Sequence, residues 1–177
     1  MKNFAVSILT LVFVLGSCKS RVSDSENDAK TISLDFTAKS GSKVSGTAVF
    51  TEKNGEVTLT ANLVGLEPGI HAMHLHEKSD CSAPDATSAG GHWNPTFKSH
   101  GKWGSDSYHR GDIGNFPANA DGEGTVTFTT SEWCIGCNDK TKDIVGKSII
   151  VHTNSDDYVT QPTGNAGGRI ACSAIIK

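Results

Sequence analysis

At 177 residues, 36% hydrophobic and 20% charged with 19 glycines, the chain has room for one domain with a sizeable core and many turns. Its 16 Lys and Arg against 19 Asp and Glu give a formal charge of −3, and no basic block or basic–aromatic run is present, so nucleic acid is not an expected partner.

Residues 1–17 read as an export signal rather than as part of the fold. Lys2 is the positive flank, and Ala5 to Leu15 is an apolar run too short for a stable membrane-spanning helix. The run ends in Leu15-Gly16-Ser17-Cys18, which resembles the lipobox of bacterial lipoproteins, where cleavage leaves a lipidated cysteine; ordinary secretory cleavage near Ser17 is the alternative. Either route exports the protein to the periplasm or cell envelope, with membrane contact only through the lipid anchor. Loss of Lys2 takes the charge from −3 to −4. Residues 18–30 are polar with almost nothing to bury and read as a tether. The domain is expected over 31–177.

From Thr31 onward, short period-two segments alternate with turn signals. Thr31–Phe36, Val44–Thr51 and Val57–Leu63 come first, the last after Asn54-Gly55. A histidine-bearing strand, Ile70–Glu77, follows Pro68-Gly69. Thr125–Thr129, Lys147–His152 and Arg169–Ile176 complete the set. No amphipathic helix stands out. The expectation is an all-β Greek-key sandwich or flattened barrel of about eight antiparallel strands. Between Lys78 and Gly114 runs a long segment without a clear strand, of the kind that is usually functional. It must be pinned, and Cys81 tied to a strand would do so. In an exported protein the cysteines other than Cys18, namely Cys81, Cys134, Cys137 and Cys172, suggest two disulfides with three possible pairings. Cys134 and Cys137 alone allow a local disulfide, a soft-metal site or free thiols, and export favours the disulfide.

All seven histidines lie between His71 and His152. On a strand, His74 and His76 share one face, while His71 points the other way and suits a structural hydrogen bond. With Ala89-Gly90-Gly91-His92-Trp93-Asn94-Pro95, with His100, His109 and Asp112 eight, nine and three residues further on, and with Val151-His152-Thr153-Asn154-Ser155-Asp156, the chain resembles the exported bacterial copper–zinc superoxide dismutases over about residues 31–177. The resemblance implies copper on His74, His76, His92 and His152, and zinc on His92, His100, His109 and Asp112, His92 bridging the two. It implies Asp156 linking His74 to His100, a Cys81–Cys172 disulfide, and Arg169 guiding a superoxide anion, in a stretch that begins at Thr163-Gly164-Asn165. Four imidazoles suit copper, and three imidazoles with a carboxylate suit tetrahedral zinc. The implied activity is dismutation of superoxide to oxygen and peroxide, protecting the cell envelope. A copper-storing or copper-delivering lipoprotein without turnover is the alternative, although storage requires neither Arg169 nor a bridging His92. Lys98, Lys102 and Arg110 are further candidates for attracting an anion. Trp93, Trp103 and Trp133 are read as packing residues.

Overall fold

The computed structural model describes residues 29–177; the expected signal segment, Cys18 and nearly all of the tether lie outside the described residues. Nine strands form one antiparallel sheet: β1 (Lys30–Asp35), β2 (Thr37–Ala38), β3 (Ser45–Lys53), β4 (Glu56–Val64), β5 (Gly69–His76), β6 (Gly114–Ala118), β7 (Gly124–Thr130), β8 (Ser148–His152) and β9 (Arg169–Ala174). Among the described residues the one helical piece is a 3₁₀ turn at Thr87–Ala89, and no helix is long and apolar enough to cross a membrane.

The order across the sheet is β1-β3-β4-β7-β6-β5-β8-β9-β2. Its two edges, β1 and β2, are consecutive pieces of chain separated only by Phe36, whose N–H donates to Gly46 O at 2.9 Å. One stretch of chain therefore stitches β3 to β9, and the sheet curls into a nearly closed barrel. Two causes raise the count from the seven segments named in the sequence, where about eight strands were expected, to nine. The first strand is split at Phe36, and Gly114–Ala118 is a strand that its Gly and Pro conceal.

Alternation builds the interior. In β4, Val57, Leu59, Ala61 and Leu63 are buried while Glu56, Asn62 and Val64 are exposed. Ala48 and Phe50 of β3 meet them, and Phe50 packs against Trp133 with ring centroids 6.2 Å apart. Each large side chain withdrawn from water contributes about 1.5–3 kcal/mol, an upper figure given residual structure in the unfolded chain. Residues His71–His76 of β5 and all of β8 are buried on both faces. Met73, Leu75, Ile149 and Val151 face the barrel core. The opposite face is covered by the long segment between β5 and β6, and between these two layers lies the site.

Candidate metal centre

Pairing of β5 with β8 sets His74 opposite Ile150 and His76 opposite Ser148. His152 ends β8, where the ladder shifts register after Val151 and His152 comes opposite Arg169. Beyond Met73, β5 loses β6 as a partner, and the long segment takes over that edge. Leu75 N–H donates to Gly111 O at 2.9 Å, Trp93 N–H to Leu75 O at 2.8 Å, and Glu77 N–H to Gly91 O at 3.0 Å. A Cβ on Gly111 would stand 2.2 Å from Leu75 O, so only glycine permits this approach. The same segment is clamped by the Cys81–Cys172 disulfide to the fully buried middle of β9. Cys134 pairs with Cys137.

Two quartets of buried side chains result: His74, His76, His92 and His152, and His92, His100, His109 and Asp112, each with its candidate ligand atoms within 4.8 Å of one another. Hydrogen bonds decide which nitrogen of each ring faces inward. Asp156 binds His74 Nε2 through Oδ2 and His100 Nε2 through Oδ1, both at 2.9 Å. This leaves His74 Nδ1 and His100 Nδ1 buried with no hydrogen-bond partner, although His100 Nδ1 lies 3.0 Å from Asp112 Oδ2. His76 Nδ1 donates to Gly90 O at 2.9 Å and His152 Nδ1 lies 3.4 Å from Gly167 O. Their Nε2 atoms then confront each other at 3.4 Å as lone pairs, an arrangement that a cation between them relieves. His92 belongs to both quartets: its Nδ1 is 2.9 Å from Asp112 Oδ1, while its Nε2 is buried and unpartnered on the other side. His109 Nδ1 is likewise orphaned, 3.3 Å from Asp112 Oδ1. Four imidazole nitrogens without partners, in a site this well packed, fit the donor set of two metal ions.

Electrostatics agree with ligand readiness. Burial holds His74, His76 and His152 below the ordinary imidazole range, and burial followed by the neighbouring His74 lowers His92 to about 3. These rings are neutral and available as donors. His100 goes the other way. Burial would lower it, but hydrogen bonds to Asp112 and Asp156 raise it to about 9. Burial would raise Asp112 and Asp156, yet the histidines bound to them hold both carboxyls well below their usual range.

Several supporting residues escaped the sequence. Asn115 brackets Asp156, accepting from its N–H at 2.7 Å and donating to its carbonyl at 2.8 Å. Gln161 accepts from His100 N–H at 2.9 Å and donates to His100 O at 3.0 Å. Gly164, at φ +68°, has no room for a Cβ, which would fall 1.7 Å from Asp156 Oδ1. Arg169 donates to Ala86 O at 2.7 Å and to Gly90 O at 2.8 Å. Gly90 O also fixes His76, so the guanidinium and that ring share an acceptor. Of the other candidate cations, Arg110 is taken up by an ion pair with Glu132, and Lys98 lies over the Tyr108 ring, 5.6 Å from its centroid. His71 does not join either quartet. Its Nδ1 is 2.9 Å from His152 O and its Nε2 2.8 Å from Glu67 O, the structural role its strand face implies. Trp93 and Trp133 are buried in the core, and Trp103 meets Phe128 and Trp133 edge to face.

A nearly closed antiparallel barrel carrying two adjoining buried quartets with one histidine in common defines a protein with two clusters that could each hold a metal ion. The copper/zinc superoxide dismutase (SODC) family model matches residues 44–175. The chain therefore belongs to the copper/zinc superoxide dismutase family. A solved structure of a double mutant of a SOD-like protein from Bacillus subtilis is also similar, with 33% sequence identity and a TM-score of 0.74, covering 82% of this chain and 97% of that one.

Proposed function

We propose that this protein dismutates superoxide to oxygen and hydrogen peroxide, with copper held by His74, His76, His92 and His152 and zinc by His92, His100, His109 and Asp112. The observation that carries the reading is His92, which turns one nitrogen to the Asp112 carboxylate and leaves the other unpartnered among His74, His76 and His152. Copper bound there supplies one-electron exchange with superoxide. The protein's own groups set the rest. Asp156, Gly90 O and Gly167 O aim His74, His76 and His152. His92 Nε2 is the atom that accepts a proton and returns it, since its Nδ1 is engaged on the Asp112 side. Arg169, half-buried and tied to the carbonyl that orients His76, holds the incoming anion as an always-charged planar donor. The net charge of −4 that remains once Lys2 leaves with the signal repels an anion at long range, so attraction is local, and Arg169 is the cation assigned to it. The sequence supports an exported protein, anchored through a lipid on Cys18, that protects the cell envelope. The test is superoxide consumption by protein carrying one copper and one zinc, beside the metal-free and zinc-only forms. Turnover that requires copper upholds the proposal. Full copper loading without turnover replaces it with the copper carrier.

A further inference from the structure

The Cys134–Cys137 pair takes no part in either quartet, and it differs from the other disulfide in the length of chain it closes. Cys134 is buried, at 7% exposure, and Cys137 is partly buried, the same division as between Cys172 and Cys81 of the other bridge. The turn that carries the pair is held by contacts that need no sulfur. Cys134 N–H donates to Lys142 O at 2.9 Å and Ile144 N–H to Cys134 O at 3.1 Å. Gly136 N–H donates to Asp143 Oδ1 at 2.8 Å, Ile135 N–H to Glu52 Oε2 at 3.0 Å, and Trp133 Nε1–H to Arg110 O at 2.8 Å. The bridge spans a sequence separation of 3, so it restrains little of the unfolded chain, whereas Cys81–Cys172 spans 91 and ends at a fully buried sulfur in β9. Ammonium groups flank the turn: Lys30 Nζ donates to Ile135 O at 3.2 Å, and the Lys177 side chain lies against Gly136. Lys30 pairs with Glu52 at 3.0 Å, and the Asp143 carboxylate accepts from Gly136 N–H in the same turn, so the charge around the pair is mixed.

We infer that Cys134–Cys137 is a reversible thiol–disulfide exchange site, independent of the metal centre, that takes two electrons from dithiols of the exported compartment without unfolding the barrel. A thiolate of the dithiol attacks Cys137 Sγ, forming a mixed disulfide and releasing Cys134 as a thiolate that is then protonated. The second thiol of the donor attacks its own sulfur in the mixed disulfide and releases Cys137, also protonated. The donor leaves as a disulfide, and the protein has gained two electrons and two protons. The bridge is attacked at Cys137 because Cys137 is the more exposed of the two cysteines.

The experiment equilibrates the folded, metal-loaded protein with graded ratios of reduced to oxidised dithiothreitol, traps thiols by alkylation and maps peptides. Cys134–Cys137 should open at a reduced-to-oxidised ratio at least 100-fold lower than Cys81–Cys172, with circular dichroism and metal content unchanged. Opening of both bridges together, or of Cys134–Cys137 only where the dichroism is lost, overturns the inference. Single variants keep the assignment of the attacked sulfur testable. In Cys134→Ser the remaining Cys137 should react with a chromogenic disulfide at least tenfold faster than Cys134 does in Cys137→Ser. Equal or reversed rates overturn it.

Discussion

The two quartets are built by different means. Three members of the first, His74, His76 and His152, stand on the paired strands β5 and β8, where ladder hydrogen bonds and a packed core hold the backbone whether or not an ion is present. The second lies wholly between residues 92 and 112, in a stretch without a strand of its own. Its backbone is fixed by three borrowed hydrogen bonds along the edge of β5, by one disulfide, and by two carboxylates that gather the rings. A site on a sheet is preformed, whereas a site on a loop is also a clasp for that loop. Metal in the second quartet is thus expected to contribute to folding, and metal in the first chiefly to chemistry.

The largest expected effect comes from unfastening the loop covalently. Replacing Cys81 and Cys172 by Ser frees a closure of 91 residues and should lower stability by about 4–5 kcal/mol in the chain-entropy picture, read from urea unfolding of metal-free protein. A loss below about 1 kcal/mol would mean that the borrowed edge bonds suffice on their own.

Next in size is the contrast between the metals. Protein lacking zinc should be cut by protease between Lys78 and Ile113 about 30-fold faster than protein lacking only copper, because local opening of this stretch is what zinc opposes. Equal cutting rates would erase the distinction between sheet-borne and loop-borne sites.

Arg169→Ala tests the strand side. Copper content should stay intact, since Arg is no ligand, while superoxide consumption falls by about tenfold, equivalent to about 1.4 kcal/mol of lost transition-state stabilisation. Arg169→Lys should lie between, keeping the charge but not the planar fork that reaches both Ala86 O and Gly90 O. A variant as fast as the parent at equal copper occupancy removes Arg169 from the anion path.

The gentlest probe is pH, applied to metal-free protein. His74, His76, His92 and His152 are depressed in the fold, His92 to about 3, so their neutral forms favour folding fully above the ordinary value of 6.5. That contribution is lost as pH falls below 6.5, where the unfolded chain binds more protons. His100 is raised to about 9, so its contribution is complete below 6.5 and disappears as pH rises through 9. Stability should therefore drop on both sides of neutrality, and more steeply on the acid side, where four rings act against one. Urea midpoints at pH 5, 7 and 9.5 measure this. A flat profile would mean that the two quartets are solvated rather than packed.

Much of this was legible in the sequence, and the reason lies in which information is local. Period-two alternation in Val57–Leu63 reports the barrel interior directly, and the spacing from His92 to Asp112 marks ligands that fall together. The strand Gly114–Ala118 was hidden because Pro117 and Gly114 are residues that strands usually avoid; the pattern survives in Gly114, Phe116 and Ala118, which are buried between exposed Asn115 and Pro117. Gln161 and Asn115 carry no local signal at all. Each serves a backbone group far away along the chain, and an amide side chain in isolation suits any turn. The borrowed edge of β5 was equally invisible, because it is made of main-chain groups that every residue except proline possesses.

The split at Phe36 bears on how such molecules behave in a crowd. Proteins tethered to one surface are held at high local concentration, and an open strand edge under those conditions recruits neighbours into stacked ribbons. Here the two rims of the sheet are successive links of the same chain, joined at Phe36, and β2 covers part of the β9 edge at Ala171 and Cys172. On the lipid anchor proposed above, barrels held side by side would meet at a rim that is partly sewn shut.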